Sequence, residues 1–192
     1  MTTCLRSTTG RVLPLPAHRW IEAPSPADER LLARVDGPVL DVGCGPGRHV
    51  LALAHAGVVT LGIDISPPAV DLARRRGAPV LHRSIFDRVP GSGRWGTALL
   101  LDGNIGIGGC PVTLLRRVTA LLRPTGRLLV ELAVEGTTEI EEVRFEVDDH
   151  VGPWFSWAHV GIEGLDEHAH AADLRIVEGW DDGGRPFAQL TR

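Results

Sequence analysis

Short apolar runs alternate along the chain with amphipathic stretches, and glycine or proline separates most of them. Continuous apolar runs predict buried strands over residues 37–43, 58–65, 79–85, 95–103 and 127–132. Apolar residues at helical spacing predict helices over residues 25–35, 47–57 and 66–77, and a further helix from residue 111 that ends just before Pro124. Strands and helices that alternate at this spacing are typical of parallel βαβ units.

The two ends of the chain follow different patterns. Residues 1–24 are rich in proline and threonine and are predicted to be irregular. Residues 161–173 predict a helix, and residues 174–192 predict a closing antiparallel strand pair around the turn "DDGG". We therefore expect one domain over residues 1–192, with a mostly parallel α/β sheet and helices on both faces.

Composition excludes several classes of protein. A formal charge of −4 gives no general reason to bind nucleic acid or an anionic membrane. No run approaches 18 apolar residues and no signal peptide is evident, so we expect a cytoplasmic protein. The three cysteines form no CxxC pair, and His168 and His170 do not share a helix face, so we expect no metal site. The sequence indicates no oligomeric state.

The stretch "VLDVGCGPGRH" at residues 39–49 carries the main chemical signal. Gly43, Gly45 and Gly47 follow the first buried strand and would let a ligand approach the bare backbone. Their spacing is not the G-x-G-x-x-G of dinucleotide folds, and Asp41 beside them would repel a pyrophosphate but suit a cationic amino group. Asp64 ends the next strand and can accept hydrogen bonds from both hydroxyls of a ribose.

The segments "VLDVGCGPGRH", "LGIDIS", "LLLDGNIGIGG" and "LLRPTGRLLVEL" look like those of the class I methyltransferases that use S-adenosylmethionine. This resemblance covers about residues 38–132 and implies a Rossmann-like seven-stranded sheet whose last strand is antiparallel. It implies S-adenosyl-L-methionine as the cofactor, with the methionyl amino group at Asp41, the ribose at Asp64 and the adenine at Ile65. The acidic residue that family members often carry after the third strand is replaced by Ile85 and Phe86. The full set of cofactor-binding residues implied by the resemblance is Asp41, Gly43, Cys44, Gly45, Gly47, Asp64, Ile65, Ile85, Phe86, Asp102 and Gly103.

Residues of three segments are candidates for the acceptor side. Asp102 and Asn104 follow the fourth strand, and His159 lies in the aromatic segment "GPWFSWAHVG", so these three are the candidate catalytic residues. Residues 133–161 are the expected substrate-side segment, and the segment around His18 could fold over the cofactor.

The sequence leaves four functions open. The short chain favours methyl transfer to a small-molecule acceptor. The alternatives are a non-catalytic protein that binds S-adenosylmethionine or S-adenosylhomocysteine, and a methyltransferase that acts on protein or nucleic acid. The net charge and the missing Asn/Asp-Pro-Pro-aromatic motif argue against nucleic acid. The glycine spacing and Asp41 argue against a nicotinamide-dependent oxidoreductase.

Overall fold

The computed structural model describes residues 3–15, 17–134, 136–148 and 150–192. Within these ranges the strands are β1 Thr3–Ser7, β2 Val12–Pro14, β3 Val39–Val42, β4 Thr60–Asp64, β5 Val80–His82, β6 Trp95–Leu100, β7 Leu122–Glu131, β8 Thr138–Val147, β9 His150–Val151, β10 Phe155–Val160, β11 Arg175–Asp181 and β12 Pro186–Thr191. The α-helices are α1 Pro26–Leu32, α2 Arg48–His55, α3 Pro67–Arg75, α4 Pro111–Thr119 and α5 Leu165–Ala171. Short 3₁₀ helices cover Ala17–Trp20, Asn104–Gly106 and Ile162–Gly164.

A seven-stranded sheet organises the fold, in the order β11-β12-β7-β6-β3-β4-β5. Strands β3 to β7 are parallel to one another, whereas the last strand, β12, is antiparallel to both β7 and β11. The predicted Rossmann-like α/β sheet is therefore confirmed. Because β6, β3 and β4 are neighbours, their carboxyl ends meet at one edge, where ligands of such sheets bind.

Local sequence signals explain where α1 begins and where α4 ends. Ser25 caps α1 and forms a reciprocal capping box with Asp28. Helix α4 ends at Thr119, earlier than predicted, and Pro124 lies inside β7. Proline disfavours helical backbone at the residue before it and removes a helical hydrogen bond. Leu121 and Leu122 therefore lie outside the helix, and Leu122 begins β7.

A second sheet, absent from the prediction, has the order β10-β8-β1-β2, with β9 paired to β8. The expectation that residues 1–24 are irregular is wrong for β1, β2 and the 3₁₀ turn Ala17–Trp20. Strand β1 pairs along its whole length with β8, about 140 residues away in the chain. A partner that distant leaves no local signal, and for that reason the sequence pattern around β1 did not reveal it.

The core lies on both faces of the seven-stranded sheet. The larger cluster joins Leu100, Leu128 and Val130 of the sheet to Leu114 and Val118 of α4. A smaller cluster on the other side contains buried side chains from α1 and the sheet, with Leu31 and Phe187 among them. None of the helices in the described ranges is long and apolar enough to cross a bilayer.

Candidate functional site

The loop between β3 and α2 holds three glycines at positive φ, at 73°, 53° and 84° for Gly43, Gly45 and Gly47. A Cβ at Gly43 would lie 2.7 Å from Asn104 Nδ2, and one at Gly47 would lie 2.9 Å from the Ala78 Cβ. At Gly45 a Cβ would meet no atom of the described residues within 4 Å. Packing within the protein therefore accounts for Gly43 and Gly47, whereas Gly45 borders open space.

Asp64 fixes the position of this loop from the end of β4. Its Oδ2 accepts the Gly45 N–H at 2.8 Å, and its Oδ1 accepts the Ser66 N–H at 2.8 Å. Burial raises the pKa of Asp64 above its ordinary value, and these backbone N–H groups oppose that shift. Each carboxylate oxygen keeps a further lone pair, so Asp64 can accept two more hydrogen bonds beside Gly45.

Asp41, the predicted partner of an amino group, is buried under the loop at 1% exposure. Its Oδ2 has no hydrogen-bond partner among the described residues, and the His49 imidazole lies beside it, with Nδ1 3.9 Å away. Burial raises the pKa of Asp41 to about 6. An unpaired buried carboxylate of this kind gains free energy from any positive group that reaches it.

Two apolar side chains are exposed at the same edge of the sheet. Ile65 is 69% exposed and Phe86 is 46% exposed, although both are large apolar residues. His82 Nε2 is hydrogen-bonded to the Ile65 carbonyl at 2.9 Å and holds that turn in place. Exposed apolar surface beside a polar cleft is typical of a site for a flat ligand.

Besides Asp41, two of the predicted cofactor residues have buried side chains, and both of these belong to apolar core clusters. The Ile85 side chain lies in the main core cluster, and its carbonyl accepts a hydrogen bond from Arg117. The Cys44 thiol packs where a Cβ at Gly62 would come within 2.6 Å, and burial raises the pKa of that thiol. Their side chains are therefore unavailable to a ligand in the cleft, which leaves only the backbone at these positions.

The segment after β6 holds the other predicted site residues. Asp102 has a φ of 52°, and its carboxylate receives two hydrogen bonds from Arg48 Nη2, at 3.0 and 3.2 Å. Asn104 Nδ2 donates to the carbonyls of Val42 and Gly43 at 2.9 Å each, so this amide ties the glycine loop to β6. At Gly103 a Cβ would again meet no described atom within 4 Å, which makes it the second open glycine of the cleft.

Arg48 belongs to a buried charge network that the sequence analysis missed. Its side chain is 4% exposed, and Nη1 lies 3.6 Å from Asp28 Oδ2. Arg185 Nη1 donates to Asp28 Oδ1 at 2.8 Å, and its Nε and Nη2 donate to Glu131. The only signal in the sequence was a charged pair, Arg48 and His49, at the start of an otherwise apolar helix.

The N-terminal segment passes beside the glycine loop. Arg48 Nη1 donates to the Arg19 carbonyl at 3.2 Å. Arg76 donates to the carbonyls of Pro46 and Ile21, both at 3.0 Å. Three main-chain carbonyls are thus held by two arginines at the rim of the cleft.

The structure brings His159 to a cavity that also reaches Gly103. This cavity has a volume of about 100 Å³ and is lined by Gly103, Ile105, Glu131, Leu132, Ala133, Ala158, His159 and Val160. It joins the carboxyl end of β6 to β10 of the second sheet. Burial lowers the pKa of His159, which favours the neutral imidazole.

Comparison with known proteins relates this geometry to a family. A methyltransferase domain family matches residues 39–126, the stretch that contains the glycine loop, Asp64 and the open Gly103. The structure of an S-adenosylmethionine-dependent methyltransferase from Bacteroides fragilis, solved in complex with S-adenosyl-L-homocysteine, has a TM-score of 0.83 at 25% identity. That similarity covers 100% of this chain and 87% of the other.

Two further methyltransferases share the fold at lower identity. The CcbJ methyltransferase from Streptomyces caelestis has a TM-score of 0.65 at 19% identity, over 86% of this chain and 93% of its own. The 1,6-didemethyltoxoflavin-N1-methyltransferase from Burkholderia thailandensis has a TM-score of 0.63 at 22% identity, over 87% of this chain and 77% of its own. The methyltransferase domain matched over residues 39–126, the strand order and the glycine loop together support the class I S-adenosylmethionine-dependent methyltransferase superfamily.

Proposed function

We propose that this chain transfers a methyl group from S-adenosyl-L-methionine to a small-molecule acceptor by in-line displacement. The observation that carries the choice of acceptor is the cavity of about 100 Å³ between Gly103 and His159. Its size suits a compact molecule, and the second sheet covers it. The Burkholderia thailandensis enzyme, whose structure holds bound 1,6-didemethyltoxoflavin, supports the same class of acceptor.

The residues of the cleft fit the cofactor in chemistry. The orphaned Oδ2 of Asp41 suits a cationic amino group, and the free lone pairs of Asp64 suit a ribose diol. The exposed Ile65 and Phe86 suit an adenine ring. The space beside Gly45, which any side chain at that position would fill, allows close approach of the ligand to the backbone.

When bound, the cofactor supplies an electrophilic methyl group on a sulfonium. The protein then has to hold an acceptor atom in line at about 3 to 3.5 Å and to exclude water. We propose that the open backbone of Gly103 borders the reacting groups and that residues 133–161 form the acceptor side.

The three candidate catalytic residues differ in what they are free to do. The Asp102 carboxylate is held by Arg48 and the Asn104 amide is held by two carbonyls, so we propose that both position backbone at the site. His159 lines the cavity, and its Nε2 has no hydrogen-bond partner in the described ranges. We therefore propose His159 as the group that accepts a proton from the acceptor.

Transfer of radioactive methyl from labelled S-adenosylmethionine tests this function. The purified chain is incubated with three fractions of a cell extract, namely small molecules, protein and nucleic acid. We expect label in the small-molecule fraction. Label in protein or nucleic acid alone would contradict the choice of acceptor, and cofactor binding without transfer to any fraction would favour a non-catalytic binding protein.

A further inference from the structure

Strand β10 presents His159 on the same face as a row of aromatic side chains. Trp157 lies opposite Glu141 of β8, and Phe155 lies opposite Val143, so alternation places His159, Trp157 and Phe155 on one face. Phe145 of β8 joins this row, with its ring centroid 5.4 Å from that of Phe155. The Phe155 and Trp157 rings meet edge to face at 6.0 Å. We call these three rings the aromatic row.

Two polar atoms on this face lack hydrogen bonds. His159 Nε2 and Glu141 Oε2 are both buried, and neither has a hydrogen-bond partner in the part of the chain that the structure describes. They lie 3.7 Å apart, too far for a hydrogen bond to each other. Arg11 Nη1 lies 3.8 Å from Glu141 Oε2 but donates its hydrogen bond to Glu139. Buried polar atoms without partners are uncommon and indicate a missing ligand or a functional role.

The hydrogen-bonding character of His159 Nε2 and Glu141 Oε2 indicates what kind of ligand would satisfy both atoms. Burial lowers the pKa of His159, while the carboxylates of Glu141 and Glu139 partly oppose this shift and Arg11 adds to it. In the tautomer that carries its proton on Nδ1, a neutral imidazole offers Nε2 as a hydrogen-bond acceptor, and a carboxylate oxygen is also an acceptor. A ligand that bridges them therefore carries a donor, and the adjacent aromatic row favours a planar ring.

We propose that His159 and Glu141 bind the N–H group of a planar aromatic acceptor and that methyl transfer takes place at a second nitrogen of the same ring. The inference rests on the proposed function, since it names the class of acceptor for the same site. The lone pair of that second nitrogen forms a bond to the methyl carbon, while the N–H bond of the first nitrogen breaks and its proton passes to His159 Nε2. The carbon–sulfur bond of the sulfonium breaks in the same displacement, and its electron pair stays on sulfur.

Glu141 is a positioning residue in this scheme. Its carboxylate lies close enough to stabilise the imidazolium that proton transfer creates. Glu142 offers a matched control, because it follows Glu141 in β8, points to the opposite face and is exposed. Glu142 accepts a hydrogen bond from Ser156 Oγ, which the amide oxygen of glutamine can also accept.

Binding of two matched probes tests the subsite. Benzimidazole carries an N–H group, and benzoxazole has an oxygen in its place and is otherwise the same size. Each is titrated by calorimetry into the free protein and into protein saturated with S-adenosylhomocysteine. We expect benzimidazole to bind at least about tenfold more tightly, because a site with unpaired acceptors rejects a ligand that lacks the donor. We expect His159→Gln and Glu141→Gln to abolish that preference and Glu142→Gln to keep it.

The His159 ring signal in nuclear magnetic resonance gives a second readout, which reports whether the charge of the Glu141 carboxylate acts on the imidazole. Removal of the carboxylate in Glu141→Gln is expected to lower the pKa of His159 further, with no such change in Glu142→Gln. Equal binding of the two probes, no binding of either, or a preference that survives Glu141→Gln would overturn the proposed subsite. Failure of the wild-type chain to bind S-adenosylhomocysteine would instead contradict the proposed function, and that affinity is measured separately for every variant.

Discussion

Asp41 is a carboxylate that the folded protein stabilises poorly. It lies under the glycine loop with an oxygen that no described residue satisfies, and burial raises its pKa to about 6 from an ordinary 3.8. Its protonated form is therefore favoured in the folded state, and its charged form lowers stability at neutral pH. Local destabilisation of this kind is typical of a group whose missing hydrogen bond or ion pair is supplied by a ligand.

Asp41→Asn is expected to raise the stability of the protein at neutral to basic pH and to lower its affinity for S-adenosylhomocysteine. The folded state binds the extra proton between about pH 4 and pH 6, so wild-type stability falls as the pH rises through that window. At about pH 8 the variant is expected to gain up to about 3 kcal/mol, and near pH 4 the gain should vanish. Urea unfolding at both pH values measures this. Affinity for S-adenosylhomocysteine should fall in the variant, and an unchanged affinity would argue against a contact with the amino group.

Gly45 is predicted to be required for cofactor binding, because the absence of a side chain leaves space beside it for the ligand. Gly45→Val places a branched side chain at φ 53° where no described atom lies within 4 Å, so the fold should survive with about 1–2 kcal/mol of strain. Affinity for S-adenosylhomocysteine is expected to fall by at least about 100-fold. Gly57→Val is the control, because Gly57 also has a positive φ and an open Cβ position but lies at the end of α2. Equal affinities in the two variants would refute the site.

At the scale of single residues, the sequence predicts which residues lie near the cleft better than it predicts where their side chains point. Gly45 and Asp64 could be predicted because a strand end and a glycine turn fix where their backbone lies. The role of Asn104 could not, since its amide turns back to the glycine loop. Ile85 fills the core for a similar reason, and only the packing of the whole chain decides these directions.

Three elements are joined by one buried charge network. Asp28 of α1 is 1% exposed, and burial alone would raise its pKa. The His49 imidazole, whose Nε2 lies 3.4 Å from Asp28 Oδ1, and the hydrogen bond from Arg185 outweigh burial and hold the pKa of Asp28 far below its usual range. Its stabilising contribution is therefore present at neutral pH and is lost as the pH falls through the acidic range.

Arg185→Met is expected to destabilise the protein strongly. The change removes the guanidinium that donates hydrogen bonds to both Asp28 and Glu131, and removing one partner of a buried ion pair typically lowers stability by about 3–5 kcal/mol. Arg30→Met removes an exposed pair with Asp182 and should change stability far less than Arg185→Met does. Urea unfolding near neutral pH distinguishes the two. A similar loss in both variants would contradict the account of the network.

At the scale of elements, the predictions succeeded where local pattern decides structure. The parallel strands and their helices follow from apolar periodicity and caps such as Ser25. Strand β1 was missed because its stability comes from β8, far along the chain. The end of α4 was misplaced because the apolar run through Leu122 fits a helix and a strand equally well.

For the whole molecule, the residues of the cofactor cleft lie in short sequence motifs, whereas the residues of the proposed acceptor side come from segments that are far apart in the chain. The glycine loop, Asp64 and Gly103 follow three neighbouring strands, so their motif is readable in the sequence. The acceptor side combines β8 and β10 with the N-terminal strands, which meet only in the folded chain. The family could therefore be predicted from the sequence, whereas the orphaned pair His159 and Glu141 required the structure.

The most direct test of the account is calorimetric titration of the wild-type chain with S-adenosyl-L-homocysteine, with NADH as the control ligand. We predict a dissociation constant on the order of micromolar for the first and no binding of the second. That result would follow from the glycine spacing and from Asp41, which repels a pyrophosphate. Binding of NADH alone, or of neither ligand, would contradict the assignment of the cleft as a cofactor site.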